Sequence, residues 1–177
     1  MSSFVNVESF PGVWTRSLSY GFDSRGYFTE ELRKHDLPPG SPEFIQDSLS
    51  FSKQNVLRGM HIQNEQWQII TLLEGEIIDV LLNLDKNSPN FLQTISFELS
   101  WDGLNQLLVS PGIAHGFAVL SESARIHYKS NVYYGSTAQF GVHCDSAEIK
   151  KYWPKKMWEL SERDKNFPKL SKLLEEI

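Results

Sequence analysis

The polar residues between Leu57 and Glu76, in LRGMHIQNEQWQIITLLEGE, have the spacing of a metal site but lack its usual ligands. His61 and Gln63 stand two residues apart, Gln68 follows, and a glycine turn closes the segment. In many small metal-binding β-barrels this pattern reads His-x-His, then Glu, then Gly. A catalytic metal needs about three His or carboxylate ligands, whereas Gln63 and Gln68 are neutral amides. The sequence therefore predicts no metal, and a pocket in which His61 serves proton transfer or binding.

Two further histidines differ in their surroundings. His115 lies in SPGIAHGF, where the Pro-Gly-x-x-His spacing is typical of a histidine at a barrel mouth. His127 alternates with Arg125 and Lys129, so we expect it on the solvent-facing side of its strand. Proton transfer at neutral pH needs a base held in one tautomer and an acid on the other side of the substrate. His61 is the predicted base.

Tyr128 is the candidate acid, because it shares strand parity with the apolar Ile126 and would place its hydroxyl at a pocket. The alternative is a core tyrosine whose hydroxyl is hydrogen-bonded. Asp164 is a candidate orienting carboxylate, although spacing alone does not indicate it. Arg25 and Arg58 each precede a glycine, and they are either phosphate-binding or ordinary surface arginines.

The composition indicates one β-rich domain spanning residues 1–177. Aromatic residues make up 12% of the chain, which suits pleated surfaces. The net charge of -5, without a basic run, argues against nucleic acid as a partner. With Cys144 alone, no intrachain disulfide forms, and a reducing compartment is expected. No signal-peptide pattern or membrane-length apolar run is visible, so we expect a soluble cytoplasmic protein without membrane contact.

The elements that must position these residues are mostly short alternating segments separated by turns, which predict an all-β barrel or jelly roll. WQIITLLEGEIIDVLLNL has two apolar runs around Glu74 and Gly75, which is a hairpin signal. Only the tail, residues 157–177, carries helical signals, with Ser161 as its predicted N-cap.

Six segments, in order, cover nearly the whole chain: DSRGYFTE, FIQDSLSFSKQNVLRGMHIQ, LEGEIIDVLLNLDKNSPNF, SPGIAHGFAVLS, YKSNVYY and LSERDKNFPKL. With these motifs the chain resembles dTDP-4-dehydrorhamnose 3,5-epimerase and related nucleotide-sugar epimerases. The resemblance implies a cupin-like jelly roll with a short helical C-terminal tail, working as a homodimer without metal or cofactor. It implies as substrate a nucleoside diphosphate 4-keto-6-deoxy sugar, epimerised at C3, C5 or both through an enolate in deoxysugar biosynthesis.

The resemblance also implies residue roles. His61 is the base of the Arg-Gly-x-His-x-Gln motif, Asp164 orients it, and Tyr128 of the Tyr-Lys motif is the proton donor. Tyr134 matches the tyrosine that stacks on thymine. The other implied substrate contacts are Arg25, Glu30, Gln46, Ser48, Arg58 and His115, of which Arg25 and Glu30 are expected to serve the partner's pocket.

The chain departs from the family pattern at three positions. Gln68 stands where the family usually has a lysine near the sugar, Arg163 replaces the lysine before the final aspartate, and a glutamate is replaced around Gln139. We expect Gln68 and Arg163 to contact substrate. These changes leave open the nucleotide base, the sugar, the number of inverted centres and the product.

Two alternatives to the epimerase remain. One is a sugar 3,4-ketoisomerase, which uses a similar barrel, and the other is a non-catalytic nucleotide-sugar binding protein. The motif arrangement favours the epimerase over the ketoisomerase. The joint presence of His61, Tyr128 and Asp164 favours catalysis, because binding alone needs neither an acid nor a base.

Overall fold

The computed structural model describes residues 3–62, 65–135 and 140–176. The strands are β1 (Val5–Asn6), β2 (Val13–Arg16), β3 (Gly21–Asp23), β4 (Gly26–Phe28), β5 (Gln46–Lys53), β6 (Leu57–Ile62), β7 (Gln68–Glu74), β8 (Glu76–Asn83), β9 (Thr94–Ser100), β10 (Gln106–Val109), β11 (Ile113–Val119), β12 (Ser123–Ser130) and β13 (Phe140–Gly141). The helices are α1 (Ala147–Lys150), α2 (Glu162–Lys165) and α3 (Leu170–Glu176), and a 3-10 turn covers Lys34–Asp36.

Two antiparallel sheets make up the barrel. One has the strand order β1-β2-β10-β7-β12-β5, and the other has the order β13-β6-β11-β8-β9. The strands β3 and β4 form a separate two-stranded hairpin. The predicted all-β jelly roll with a short helical tail is confirmed, although the helix α1 precedes the tail that carried the helical signals.

The strand β8 is buried on both faces, which explains its continuous apolar run. Ile77 and Leu81 point between the sheets, where they pack with Ile70 and Ile126 of the opposite sheet. Residues of the other parity, Ile78, Val80 and Leu82, pack outside with a layer contributed by the C-terminal segment: Ile149, Trp153, Leu170 and Leu173. Alternation therefore disappears wherever the tail covers the second face of the sheet.

The predicted hairpin at Gly75 is wrong. The strand β7 pairs with β10 and β12, whereas β8 pairs with β9 and β11, so the chain crosses from one sheet to the other at this turn. Gly75 has φ +86°, and a Cβ there would lie 2.1 Å from the carbonyl oxygen of Ser123. A glycine turn suits a hairpin and an inter-sheet corner equally, and the distant strands decide which one forms.

The predicted cap at Ser161 is confirmed. Its Oγ accepts the backbone N–H of Asp164 at 3.1 Å, which starts α2. This short helix lies against β6 and brings Asp164 beneath the barrel strand that carries His61. No described helix is both long enough and apolar enough to cross a membrane.

Candidate active site

An open cavity of about 310 Å³ lies between the two sheets. Strands β5, β7 and β12 line it from one sheet, and β6 and β11 line it from the other. Most residues predicted to act on substrate line this cavity, namely Gln46, Ser48, Arg58, His61, Gln68, His115, Tyr128, Tyr134 and Arg163. Residues far apart in the sequence thus form one site, because the two sheets that carry most of them face each other across the barrel.

Arg58 and His61 both line the cavity, although strict alternation would place them on opposite faces of β6. The register against β11 shifts between the two positions, since His61 pairs with His115 but Arg58 pairs with Phe117. Gly59 lies at this irregularity with φ +118°, and a Cβ there would lie 2.6 Å from the Cα of Gly116. The motif glycine therefore permits the shift that brings the arginine and histidine to one cavity.

Asp164 lies behind His61 and forms a dyad with it. Its Oδ1 is 2.8 Å from Nε2 of His61, and the backbone N–H of Gly59 donates to Oδ2 at 3.3 Å. The Asp164 side chain is 3% exposed, against 31% for His61, so the carboxylate is covered and the imidazole faces the cavity. Burial raises the pKa of Asp164, but the hydrogen bonds from His61 and Gly59 outweigh it and hold the pKa below its ordinary value.

The dyad assigns a tautomer to His61. The ionised Asp164 accepts a hydrogen bond, so we place the imidazole proton on Nε2. Nδ1 is then the basic nitrogen. Arg163 also approaches this nitrogen, with its Nη2 2.9 Å from Nε2 of His61 and its Nε 3.6 Å from Oδ1 of Asp164. A guanidinium only donates, so with the proton on Nε2 this contact adds positive charge beside the dyad but is not a hydrogen bond to the imidazole. Phe167 packs edge-on against the imidazole, with ring centroids 5.7 Å apart.

Tyr128 faces the cavity from the opposite sheet. Its predicted parity is confirmed, because Ala124 and Ile126 on the same strand are fully buried in the core that Tyr128 packs against. Its hydroxyl lies 3.2 Å from Oγ of Ser50. Burial raises the pKa of Tyr128 well above its ordinary value, although Ser50 and the charge of Arg58 lower it in part. The phenol is therefore protonated at neutral pH and can donate.

The sequence did not lead us to predict a second histidine–aspartate pair, which His115 forms with Asp79. Nε2 of His115 lies 2.7 Å from Oδ2 of Asp79, whose side chain is fully buried. The Oδ1 of Asp79 has no hydrogen-bond partner within the described part of the chain. Burial raises the pKa of Asp79, and His115 opposes this rise. The sequence signal was present, because Asp79 is a lone carboxylate in the apolar run EIIDVLLNL.

Polar residues at the rim are held by mutual hydrogen bonds. Arg58 donates through Nε to Oγ of Ser52 at 2.9 Å, which fixes its guanidinium beside the cavity. Gln46 accepts the backbone N–H of Tyr134 at 2.8 Å and donates to Oγ of Ser48 at 3.0 Å. Tyr134 is 71% exposed, so its ring is free to stack on a planar ligand.

Arg25 and Glu30 do not line this chain's cavity. Arg25, with an 87% exposed side chain, pairs with Asp23 at 2.6 Å in the β3–β4 hairpin, and Glu30 pairs with Arg33. Arg25 lies at the turn of this hairpin, and Glu30 lies in the segment that follows it. Gln63 and Gln139 lie outside the described residues.

The predicted outward parity of His127 is confirmed, but another segment of the chain covers the side chain. His127 lies on the outer face of the sheet, but its side chain is only 12% exposed because the segment around Glu31 covers it. Its Nδ1 contacts Glu31 and its Nε2 lies 2.8 Å from Oδ1 of Asp47. The two residues are far apart in the sequence, so the alternation of polar and apolar residues around His127 does not predict this contact.

Within the described ranges, no three His, Cys, Asp or Glu side chains come together in a group that could hold a metal ion. The two cavity histidines each contact one carboxylate, and these pairs are separate. Such pairs are suited to fixing a tautomer and supporting proton transfer.

The family assignment comes from residues 8–172, which match the family model for dTDP-4-dehydrorhamnose 3,5-epimerase. The chain belongs to this family. It is 36% identical over 159 residues to the dTDP-4-dehydrorhamnose 3,5-epimerase of Salmonella typhimurium, which covers 86% of this chain and 87% of that protein. The resemblance predicted from the six motifs is confirmed, and with it the assignment to the epimerases, which are isomerases.

Two solved structures of epimerases share the fold. The dTDP-6-deoxy-D-glucose-3,5-epimerase of Legionella pneumophila, in complex with dTDP-4-keto-L-rhamnose, has a TM-score of 0.87 and 30% identity, covering 96% of this chain and 93% of that chain. The 4-keto-6-deoxy sugar epimerase from the novobiocin cluster of Streptomyces spheroides has a TM-score of 0.89 and 26% identity, covering 99% and 91%.

Proposed function

We propose that this epimerase-family protein inverts C3, C5 or both of a nucleoside diphosphate 4-keto-6-deoxy sugar. The observation that carries the proposal is the arrangement of His61 and Tyr128, which face one cavity from opposite sheets. A base and an acid on opposite sides of a substrate are what inversion at carbon requires. The Legionella relative, solved with dTDP-4-keto-L-rhamnose, supports this substrate class.

In the first step His61 removes the proton next to the ketone. The C4 carbonyl acidifies the hydrogens at C3 and C5, and Nδ1 of His61 accepts one of them. The electron pair of the broken C–H bond moves into the carbonyl and leaves a negative charge on its oxygen. The depressed pKa of Asp164 keeps that carboxylate ionised, so it stabilises the imidazolium that forms.

The enolate oxygen needs donors that are already in place. Arg58 and His115 both line the cavity, and each is held by a neighbour, Ser52 and Asp79 respectively. Preorganised donors of this kind stabilise developing charge without reorganising during the reaction. Gln68 adds a neutral amide donor to this cavity, so the positive charge near the sugar comes from Arg58 and Arg163.

In the second step Tyr128 returns a proton to the opposite face. Its raised pKa keeps the phenol protonated until the enolate forms. The phenol proton passes to carbon, the enolate electrons form the new C–H bond, and a phenolate remains. Ser50 and the charge of Arg58 stabilise that phenolate. The phenolate takes up a proton from solvent through the open cavity, and the His61 imidazolium releases its proton to solvent, which restores both groups.

The nucleotide is proposed to lie at the rim. The exposed ring of Tyr134 offers a stacking surface for the base, and the hydrogen bond between Gln46 and the Tyr134 backbone fixes the segment that carries it. Arg163, which lines the same cavity with a 47% exposed side chain, is proposed to contact the phosphate nearest the sugar.

We propose a homodimer in which the β3–β4 arm reaches a partner. The arm carries exposed aromatic side chains, Phe22, Tyr27 and Phe28, and the sheet-edge strand β5 carries exposed Leu49 and Phe51. Apolar side chains concentrated on an arm and an open sheet edge favour burial against a second copy. Arg25, at the tip of the arm, is then placed to serve the partner's site.

Deuterium exchange separates the steps of this mechanism. With dTDP- or CDP-4-keto-6-deoxyglucose in heavy water, NMR should show deuterium entering C3 or C5 of the wild-type product with inversion. His61→Ala should abolish both exchange and inversion. Tyr128→Phe should keep exchange with retained configuration, because the enolate still forms, while inverted product falls about 100-fold or more.

Three outcomes would contradict the proposal. Wild-type protein that binds the sugar nucleotides without exchange would be a binding protein. A 3-keto product would indicate the ketoisomerase. Unchanged inversion by Tyr128→Phe would make Tyr128 a core tyrosine.

A further inference from the structure

We propose that Ser50 is a positioning residue that orients the Tyr128 hydroxyl for proton donation. The inference rests on the proposed function, because it assigns Ser50 a role in the second step of that reaction. Ser50 belongs to none of the motif roles implied by the family resemblance.

The sheet register brings the two side chains together. The strands β5 and β12 pair antiparallel, with Ser48 opposite Tyr128 and Ser50 opposite Ile126. Ser50 is therefore the diagonal neighbour of Tyr128 on the cavity side, within reach of a long aromatic side chain. Both residues line the cavity, and their hydroxyl oxygens are 3.2 Å apart.

The hydrogen bond restricts the phenolic proton. A phenol hydroxyl rotates about its C–O bond, and in the described part of the chain Ser50 is its hydrogen-bond partner. When Ser50 donates to the phenol oxygen, the Tyr128 proton is left to point into the cavity. This sense of the bond leaves the proton available for transfer to carbon.

The same hydrogen bond matters more after transfer. The Tyr128 side chain is packed against the core, so the phenolate that remains carries charge in a poorly solvated place. A hydroxyl that donates to the charged form stabilises it. Burial raises the pKa of Tyr128, and the bond from Ser50 is the largest influence that lowers it. Ser50 thus orients the Tyr128 hydroxyl before proton transfer and stabilises the Tyr128 phenolate after it.

The test compares Ser50→Ala with Ser50→Thr, which restores a hydroxyl. Ser50→Ala should lower kcat for inversion about 10- to 100-fold, because one hydrogen bond to developing charge is lost. KM should stay within about twofold, and exchange with retained configuration, which depends on His61, should keep its rate. Ser50→Thr should recover most of the inversion rate.

Ser96→Ala is the matched control. Ser96 lies on β9 in the opposite sheet, outside the cavity lining, and its substitution should leave both rates unchanged. A serine-to-alanine effect on strand stability alone would lower inversion and exchange together, whereas the proposed role lowers inversion selectively.

A ligand-free measurement completes the test. In protein labelled with 13C at tyrosine Cζ, the Tyr128 resonance is assigned by its loss in Tyr128→Phe. Ser50→Ala should shift this resonance and leave the other tyrosines in place. An unshifted resonance overturns the inference, as does wild-type inversion by Ser50→Ala in an enzyme whose wild type is active. A wild type without any exchange overturns the proposed function itself and, with it, this role for Ser50.

Discussion

His61 and Asp164 are 103 residues apart in the chain, yet Nε2 of the histidine is 2.8 Å from Oδ1 of the aspartate. The histidine belongs to a barrel strand and the aspartate to a short helix of the tail. The tail therefore contributes the carboxylate behind the catalytic histidine as well as covering the outer face of the sheet.

The substitution Asp164→Asn should slow deuterium exchange next to the ketone about 10²- to 10⁴-fold. The neutral amide does not stabilise the imidazolium, and its NH2 group favours the proton on the wrong imidazole nitrogen. Exchange rates followed by NMR measure this effect. Glu162→Gln on the same helix, with an 84% exposed side chain, is the control and should exchange at the wild-type rate. Equal deuterium exchange rates for Asp164→Asn and wild type would contradict the proposed role of Asp164 in proton abstraction.

The substitution Asp79→Asn should lower turnover about 10- to 100-fold, because His115 loses the carboxyl partner that holds its ring. At high pH the same substitution should raise the free energy of unfolding, although it lowers turnover. The pKa of Asp79 is raised by burial, so the stability it contributes is full at low pH and is lost as pH rises through the folded pKa. Urea unfolding should show the variant gaining on wild type as pH rises above about 4, the ordinary pKa of an aspartate. A relative loss over that range would contradict this account.

The contact of His127 with Glu31 should make stability depend on pH. Glu31 raises the pKa of His127, so this contribution is present below the ordinary value of about 6.5 and is lost as pH rises through the raised pKa. Burial raises the pKa of Glu31, but the contact with His127 outweighs burial and leaves the pKa below its ordinary value. The stability that Glu31 contributes is therefore lost in acid. Asp47 and Lys129 complete the group that faces the imidazole.

It follows that His127→Gln should cost about 1–2 kcal/mol of unfolding free energy near pH 6 and less at pH 9. Urea unfolding at the two values measures the difference. A cost that grows with pH would show that the charged contact does not hold the segment around Glu31.

The substitution Phe28→Asp should weaken self-association at least about tenfold, because Phe28 is 73% exposed on the proposed dimer arm. Light scattering at micromolar concentration reports the mass of wild type and variant. Met157→Asp is the control, since Met157 is 92% exposed outside the arm and should leave the mass unchanged. A monomeric mass for wild type would refute the dimer.

Turnover should survive a chelator, because the proposed chemistry uses side-chain acids and bases. The assay compares rates before and after dialysis against the chelator. Activity that disappears and returns with zinc, iron or manganese would overturn the metal-free proposal.

The sequence by itself determined the all-β class, the family, the cap at Ser161 and the inward parity of Tyr128. These properties reside in local patterns: alternation of period two, a capping residue, and motifs whose order survives substitution. The parity of a side chain follows from its own strand, which is why Tyr128 could be assigned to the apolar face.

Only the tertiary structure decided which distant residues meet. Gly75 turns the chain in either a hairpin or a corner, and the strands paired with β7 and β8 made it a corner. Asp79 pairs with His115, and Glu31 covers His127, through contacts between strands and segments far apart in the chain. A buried charge is stabilised by whichever partner the packing brings to it, and local sequence does not record that choice.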